Sequence, residues 1–287
     1  MEFTRYAIAY LDILGFKKFV EDAEDNNKPE KLMALKKLFE EVIPREISID
    51  GKNASYPDEM KLRCLSFSDS IVVSAPFQDN SSYPALIAVS IKAIQISHSL
   101  LDMELLVRGG IAVGNIYQTD SNILGTGYQK AVQMEKVACN PQIILDESAE
   151  SELDNLILKQ KMPTYSMFAK NELGKKILNS IHPEKSYLPD ERYSVDYYFK
   201  KYRETILESL NKLNCQENSK AKEKWIWFAR LFNANVNYFS CFEEDVETLP
   251  IAEALLTVSI NYLNPTETNS EWMEPFKALG MTIQINH

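Results

Sequence analysis

Strand-like and helix-like segments alternate along the first half of the chain, and this alternation limits the fold more than any other feature. Apolar and aromatic runs typical of strands cover residues 6–14, 61–67, 70–75, 103–118 and 141–148. Segments with helical spacing lie between them, from residue 16 onward and over 29–43, 84–102 and 127–138. Because neither type forms a block, we predict an α/β or α+β sandwich in which helices cover a sheet.

The pattern changes beyond residue 150, where prolines interrupt a polar stretch and two long helical patterns follow, over 195–213 and 219–242. We therefore predict a first domain over 1–150 and a mainly helical region over 151–287 that packs on it. The segment "KEKWIWFARLFN" mixes basic and aromatic residues. This mixture is compatible with a surface that stacks nucleotides, but helical apolar spacing favours packing against the first domain.

Composition and charge exclude several classes of protein. The 287 residues carry a formal net charge of −10, which argues against broad binding to nucleic acid. No run of about eighteen apolar residues predicts a membrane span, and the N-terminus lacks a secretory signal profile. The four cysteines are scattered without a CxxC pair, which favours free thiols over zinc or disulfides. We expect an acidic cytoplasmic protein.

Two aspartates mark a candidate site. Asp12 interrupts the apolar strand "YAIAYLDIL", and Asp69 stands at the turn of the hairpin predicted over 61–75. A carboxylate in a buried strand is costly unless a positive group pairs with it. Two carboxylates brought together can share divalent cations, and oxygen ligands suit magnesium or manganese. The bland alternative is that Asp12 caps the following helix and Asp69 merely occupies a turn.

Four segments resemble a known family in sequence and in order: "YLDILGFKKF", "LSFSDSIVVS", "VRGGIAVGNIY" and "ILGTGYQKAVQMEKVACNPQIILDES". They are similar to class III nucleotidyl cyclases, and most of all to the bacterial pyrimidine cyclases of Pycsar antiphage systems. The resemblance covers roughly residues 5–148, and "KEKWIWFARLFN" is similar to the C-terminal region of that subgroup. It implies a cyclase-like sandwich with a metal-dependent active site.

The resemblance assigns roles to particular residues. Asp12 and Asp69 match the two metal-binding aspartates, and Ile13 matches the residue whose backbone carbonyl joins the metal site. The cofactors would be two divalent cations, Mn²⁺ or Mg²⁺. Phe16 and Lys17 fall where the family cradles the triphosphate, at the start of a helix whose free amide groups can bind phosphate oxygens.

The chain departs from the family at the positions that the partner subunit normally supplies. An asparagine and an arginine on one helix face are expected there, and Gln129 and Gln133 stand in their places. A neutral amide stabilises a pentavalent phosphate less well than a guanidinium does. Arg108 and Lys130 are the nearest cations in the sequence; Arg108 is the preferred substitute, with a salt bridge to a nearby acid as its alternative role.

The family resemblance also implies partners and a reaction. The active sites would be composite sites in a symmetric homodimer, and each would take a nucleoside triphosphate. The ribose 3′-hydroxyl attacks the α-phosphate, pyrophosphate leaves, and a 3′,5′-cyclic nucleotide forms. In an antiphage system the product would activate a neighbouring effector protein.

The residues at the base-reading positions favour a pyrimidine. Adenylate cyclases carry a lysine and an aspartate there, where this chain has Leu65 and Asn122. Leucine offers no hydrogen bond, and asparagine can either donate or accept one. We predict UTP or CTP as substrate, with UTP slightly favoured, and ATP and GTP as poor substrates.

Three function classes stay open at this stage. The first is a uridylate or cytidylate cyclase. The second is a catalytically degenerate cyclase-fold protein that binds nucleotides or acts as a scaffold, suggested by Gln129 and Gln133. The third is a different two-metal enzyme on a related sheet, such as a polymerase or a diguanylate cyclase, although no GG[DE]EF-like signature supports the latter. A purine (adenylate) cyclase is a further alternative to the first class.

Overall fold

The chain forms one main sheet flanked by helices. The computed structural model describes residues 2–25, 28–43, 48–49, 52–53, 62–77, 84–159, 166–213, 220–239, 241–242, 246–250 and 261–262. The strands of this part are β1 (Thr4–Leu14), β2 (Ser48–Ile49), β3 (Lys52–Asn53), β4 (Arg63–Phe67), β5 (Ser70–Pro76), β6 (Leu106–Gln118), β7 (Ile123–Leu124), β8 (Ile143–Leu145), β9 (Phe168–Lys170), β10 (Lys176–Leu178) and β11 (Asn261–Tyr262). The α-helices are α1 (Phe16–Asp25), α2 (Pro29–Lys37), α3 (Ala85–Leu101), α4 (Thr126–Val137), α5 (Glu147–Leu158), α6 (Val195–Leu213) and α7 (Lys220–Tyr238). The predicted mixed architecture with a helix-covered sheet is confirmed.

β1 lies in the interior of the sheet, between β5 and β6. The strand order in the described part is β11-β9-β10-β8-β6-β1-β5-β4, with β7 paired to β6. β1 is antiparallel to both neighbours, and β6 is parallel to β8. The register sets Asp12 opposite Ser70 on β5 and opposite Arg108 on β6. Three segments that are distant in sequence therefore meet at the end of β1.

The two faces of β1 bury different side chains, because successive strand residues point to opposite faces. Ala7, Ala9, Leu11 and Ile13 join the apolar residues of α3 in one hydrophobic cluster. Ile8 belongs to a separate cluster on the other face, together with Ala131 of α4. Asp12 shares the face of Ile8, so it lies on the side of the sheet that α4 covers.

Glycines let α4 approach the backbone of β6. A Cβ atom at Gly110 would overlap the carbonyl oxygen of Ala131 and the Cβ of Met134. A Cβ at Gly114 would stand 2.8 Å from the Cα of Gly127. Gly110 therefore marks a close approach of two backbones. It is not at a bulge, since the pairing of β1 with β6 runs through this position without interruption.

The main sheet continues into the second half of the chain. β10 pairs with β8, β9 pairs with β10, and β11 pairs with β9. Helices α6 and α7 share a hydrophobic cluster with residues of the first half, including Leu106 and Ile144. Trp227 and Phe232 of α7 are buried in this cluster. The boundary at residue 150 stays a prediction.

Paired amides fix α7 to its surroundings. Asn235 and Asn179 are buried and exchange two side-chain hydrogen bonds, of 2.8 and 3.1 Å. Asn233 accepts a hydrogen bond from the backbone N–H of Leu249 at 2.7 Å and donates to the carbonyl oxygen of the same residue at 3.2 Å. Because buried polar groups are costly when unpaired, these contacts specify one position for α7.

A buried histidine network joins α3 to α6. The sequence predicts His98 as a partly buried packing residue; the structure buries it completely and gives it two partners. His98 Nε2 donates to the carbonyl oxygen of His182 at 3.0 Å, so its Nδ1 accepts from the hydroxyl of Tyr202, also at 3.0 Å. His182 Nε2 shares a 2.8 Å hydrogen bond with Ser166. Burial lowers the pKa of His98 to about 4 and that of His182 to about 3.

Some predicted boundaries shift. The helix predicted over 29–43 is α-helical only to Lys37 and continues as a π-helical turn, Leu38–Val42. The strand predicted over 141–148 ends at Leu145, because Asp146 caps α5 by accepting a 2.9 Å hydrogen bond from the N–H of Ala149. Most of the turn-rich link predicted over 50–59 lies outside the described residues. In the described part, no helix has both the length and the apolar character needed to cross a membrane.

Candidate active site

The hairpin turn at Asp69 is joined directly to the end of β1. The backbone N–H of Ile13 donates to the carbonyl oxygen of Asp69 at 2.8 Å. Ser68, in the turn between β4 and β5, adopts a positive φ of 57°. Asp12 and Asp69 are therefore brought together, as the sequence predicts for a shared site.

Arg108 is the positive group that faces Asp12. Its Nε donates to Asp12 Oδ2 at 3.0 Å across the β1–β6 pair. The Nη2 atom of Arg108 lies 2.7 Å from Oε1 of Glu135 on α4. The three side chains are partly or largely shielded from water, with exposed fractions of 29%, 19% and 8% for Arg108, Asp12 and Glu135. Arg108 thus forms a salt bridge to nearby acids, the alternative role considered for it.

Glu135 is an acid of this site that the sequence interpretation missed. Burial raises the pKa of its carboxyl; Asp12 and Asp69 raise it further, while Arg108 and Lys136 oppose the shift. Asp12, Asp69 and Glu135 therefore share one electrostatic environment. A signal was present in the spacing of α4, where Gly127, Ala131 and Glu135 are four residues apart on one helix face and all are buried.

Two tyrosine side chains, Tyr10 and Tyr128, lie near the acids. The hydroxyl of Tyr10 shares a 2.7 Å hydrogen bond with Ser70 Oγ, and its ring meets that of Tyr128 edge-on at 6.0 Å. Burial raises the pKa of Tyr10, and the nearby acids add to this effect. Leu65 packs against the same cluster from β4. The candidate base-reading leucine is thus close to aromatic side chains, although its role is still a prediction.

The start of α1 presents the residues predicted to cradle phosphate. Gly15 has a φ of +82°, a conformation that favours glycine, and it turns the chain from β1 into the helix. Phe16 and Lys17 lie in the first helical turn, where backbone N–H groups have no acceptor within the helix. Phe16 packs its ring against the core, whereas the Lys17 side chain is 89% exposed with its Nζ 3.6 Å from Glu21.

The other predicted residues of α4 point away from this cluster. Gln129 and Gln133 are exposed, and their side chains form no hydrogen bond with the described residues. Lys130 is exposed as well, with its Nζ 3.9 Å from Asp146 Oδ2. No contact joins these three side chains to Asp12 within the described part of this chain.

Asn122 is also apart from the acids. It lies in the exposed turn between β6 and β7, where its backbone N–H donates to Thr119 Oγ1 at 3.1 Å and its side chain donates to Ser121. Arg63 of β4 lies 3.9 Å from Asp120 in the same turn. The strand that carries Leu65 therefore approaches the turn that carries Asn122.

The oxygen donors at the end of β1 fit divalent cations of the magnesium class. Asp12 and Asp69 supply carboxylates. In the described part of the chain Arg108 pairs with Asp12 and Glu135, and Asp69 adds a third acid to their surroundings, so added positive charge is favoured. Among the described residues, no three acidic, cysteine or histidine side chains form a complete metal cluster. This limited donor set is typical of Mg²⁺ sites, which use one or two carboxylates and complete their shell with water and substrate phosphates.

Comparison with known proteins leaves the function open. No protein-family model matches the chain, and no curated protein does so. A solved structure described as an adenylate/guanylate cyclase/hydrolase from Silicibacter pomeroyi is 14% identical to it, with a TM-score of 0.35 over 62% of this chain and 95% of that chain. A TM-score this low supports no conclusion about chemistry.

Proposed function

We propose that this chain is a metal-dependent nucleotidyl cyclase that converts UTP or CTP to cUMP or cCMP and pyrophosphate. One observation carries the proposal: the 2.8 Å hydrogen bond from Ile13 to Asp69 holds two carboxylates together at the start of a helix with free N–H groups. Acids that share cations beside a phosphate-binding helix end are suited to phosphoryl chemistry on a triphosphate.

Each part of the site has a role in this reaction. Asp12, Asp69 and the carbonyl of Ile13 would hold two divalent cations, Mn²⁺ or Mg²⁺. When bound, these cations neutralise charge on the phosphoryl oxygens and favour ionisation of the ribose 3′-hydroxyl. The N–H groups of Phe16 and Lys17 bind phosphate oxygens. The bond from the 3′-oxygen to the α-phosphorus forms, the bond to pyrophosphate breaks, and the hydroxyl proton passes to water.

Arg108 contributes a positive charge to the site, and its ion pairs hold the guanidinium in place. Its two ion pairs, to Asp12 and Glu135, hold the guanidinium between the sheet and α4. A fixed cation costs no reorganisation when negative charge develops on the phosphate. Lys130 is paired with Asp146 at a distance from the acids, so Arg108 is the better substitute for the family's missing arginine.

The homodimer is part of the proposal. Gln129 and Gln133 are exposed on one face of α4 and have no hydrogen-bond partner in the described part of their own chain. Side chains presented in this way are available to a second copy of the chain. In the composite site they would contact the substrate held by Asp12 and Asp69 of the other subunit.

The base preference follows from Leu65 and Asn122. Leu65 packs against the same buried cluster as Tyr10 and Tyr128, and its apolar side chain would contact the face of a small base without forming a hydrogen bond. Asn122 can turn its amide to satisfy either the carbonyl of uracil or the amine of cytosine. The role in antiphage signalling, with a separate effector activated by the cyclic product, depends on the family resemblance.

A second candidate is a degenerate cyclase-fold protein that binds nucleotides without turning them over. The pairing of Asp12 with Arg108 favours it, because a carboxylate engaged by a guanidinium is a weaker metal ligand. The neutral side chains of Gln129 and Gln133 favour it too.

A product assay distinguishes these candidates. The purified protein is incubated with all four nucleoside triphosphates at equal concentration, with Mn²⁺ or Mg²⁺, and products are resolved by chromatography. We expect cUMP or cCMP to predominate and a chelator to abolish the product. Predominant cAMP or cGMP would contradict the pyrimidine assignment, whereas nucleotide binding without product would favour the degenerate protein.

A further inference from the structure

Helix α7 packs near the Asp12–Arg108 pair. Residues two apart in a strand point to the same face of the sheet. Leu14 therefore shares a face of β1 with Asp12, and Leu106 shares a face of β6 with Arg108. Leu106 is buried in one cluster with Trp227 of α7, and Leu14 packs against the same cluster. α7 therefore packs on the same hydrophobic cluster as the strand residues that neighbour Asp12 and Arg108.

Lys224 is the residue that α7 brings to this place. It precedes the buried Phe228 by one helical turn and is itself partly buried. Its ammonium group is close enough to Arg108 and Asp12 for the charges to interact. Burial lowers the pKa of Lys224, and Arg108 lowers it further, while Asp12 has the opposite effect.

Lys224 has no acidic partner of its own among the described residues. Asp12 and Glu135 are both engaged by Arg108. Within the described residues, Lys224 forms neither an ion pair nor a hydrogen bond, so three N–H donors stay available. A shielded ammonium beside a second cation is stabilised most by an anion placed between them.

We infer that Lys224 binds the phosphate groups of the substrate from the same chain that supplies Asp12 and Asp69. It would thereby provide positive charge in a site where Gln129 and Gln133 provide none. This inference rests on the proposed triphosphate substrate. It assigns the C-terminal region a direct part in the site, in addition to its packing role.

Binding of inorganic tripolyphosphate with Mg²⁺ tests the inference without catalysis, by titration calorimetry on the full chain. Lys224→Gln should raise the Kd about tenfold or more, because hydrogen bonds between charged groups are the strong ones. Lys224→Arg should restore binding to within about threefold of wild type, since it keeps the charge. The matched control is Lys220→Gln, which removes an exposed charge one turn earlier on α7 and should change the Kd by less than about threefold.

The outcomes separate this inference from the proposed function. Equal binding by wild type and Lys224→Gln, or equal losses for Lys220→Gln and Lys224→Gln, would overturn it. Absence of tripolyphosphate binding in the wild type would overturn it as well. If wild type binds tripolyphosphate through Lys224 but forms no cyclic product from any triphosphate, the cyclase proposal fails and the inference stands.

Discussion

The backbone N–H of Ile13, near the end of β1, donates a hydrogen bond to the carbonyl oxygen of Asp69, in the turn between β4 and β5. Because it is a main-chain contact, it places the two aspartates beside each other whatever their side chains bind. The acids can therefore be altered one at a time without removing the contact that positions them.

The first prediction concerns the metal ligands. Asp12→Asn and Asp69→Asn should each reduce cyclic product at least about 100-fold, because metal charge contributes several kcal/mol and each ~1.4 kcal/mol is a factor of ten. Asparagine has nearly the same shape, so the circular dichroism spectrum should be unchanged. Asp154→Asn, at an exposed site on α5, is the control and should keep full activity. Full activity of Asp69→Asn would remove the two-metal interpretation.

The second prediction concerns the composite site. Chains with Asp12→Ala and chains with Gln129→Ala should each be poorly active, and mixing them should restore about a quarter of wild-type activity. Half of the randomly reassorted dimers are mixed, and each of these contains one intact site. Two affinity tags allow mixed dimers to be isolated and assayed. Mixed dimers without activity would place the whole site within one chain.

The third prediction concerns the Arg108–Glu135 pair. Arg108→Gln should lower the free energy of unfolding by about 1–3 kcal/mol, since it leaves buried acids without their cation. A double-mutant cycle with Glu135→Gln should show a coupling of about 0.5–3 kcal/mol in urea unfolding. Lys36→Gln breaks an exposed pair and should change stability by less than about 0.5 kcal/mol. Additive effects of the two site variants would show that the pair is not coupled.

The fourth prediction concerns pH and the buried histidines. Unfolded histidine binds a proton below about pH 6.5, whereas folded His98 and His182 stay neutral down to pKa values of about 4 and about 3. Between these limits the unfolded chain binds more protons, so stability falls as pH falls. At pH 5.5 each histidine should cost about 1.4 kcal/mol relative to pH 8.

Urea unfolding at several pH values measures this loss, and His98→Gln should reduce the slope by about one proton. Ring proton signals in nuclear magnetic resonance give a second test that needs no variant. The signals of His98 and His182 should not shift between pH 8 and 5.5. A histidine signal from either residue that titrates near pH 6.5 would contradict the prediction.

Local patterns predicted the elements well, because strands and helices of this chain bury apolar faces with regular spacing. The helix predicted over 195–213 is α6, Val195–Leu213, and the predicted hairpin is β4 and β5 with its turn at Ser68 and Asp69. The candidate acids could be found because a charge inside an apolar strand is unusual. Their metal, substrate and dimer roles stay predictions.

Contacts between distant residues could not be predicted in the same way. Arg108 is 96 residues from Asp12, and only the register of β1 with β6 makes them neighbours. Glu135 depends on the close approach of α4 at Gly110, and Lys224 depends on how α7 packs against the sheet. The four-residue spacing of Ala131 and Glu135 marks the buried face of α4, but nothing local in the sequence shows which distant residues these side chains meet.

The continuation of the sheet from β8 to β10 has a practical consequence for dissection of the gene. A fragment ending at Leu158 would retain Asp12, Asp69 and Arg108 but would leave one edge of β8 unpaired. It would also expose Leu106 and apolar neighbours that α6 and α7 cover. Bare strand edges and apolar patches promote aggregation, so truncation at this point should give inclusion bodies instead of a soluble fragment.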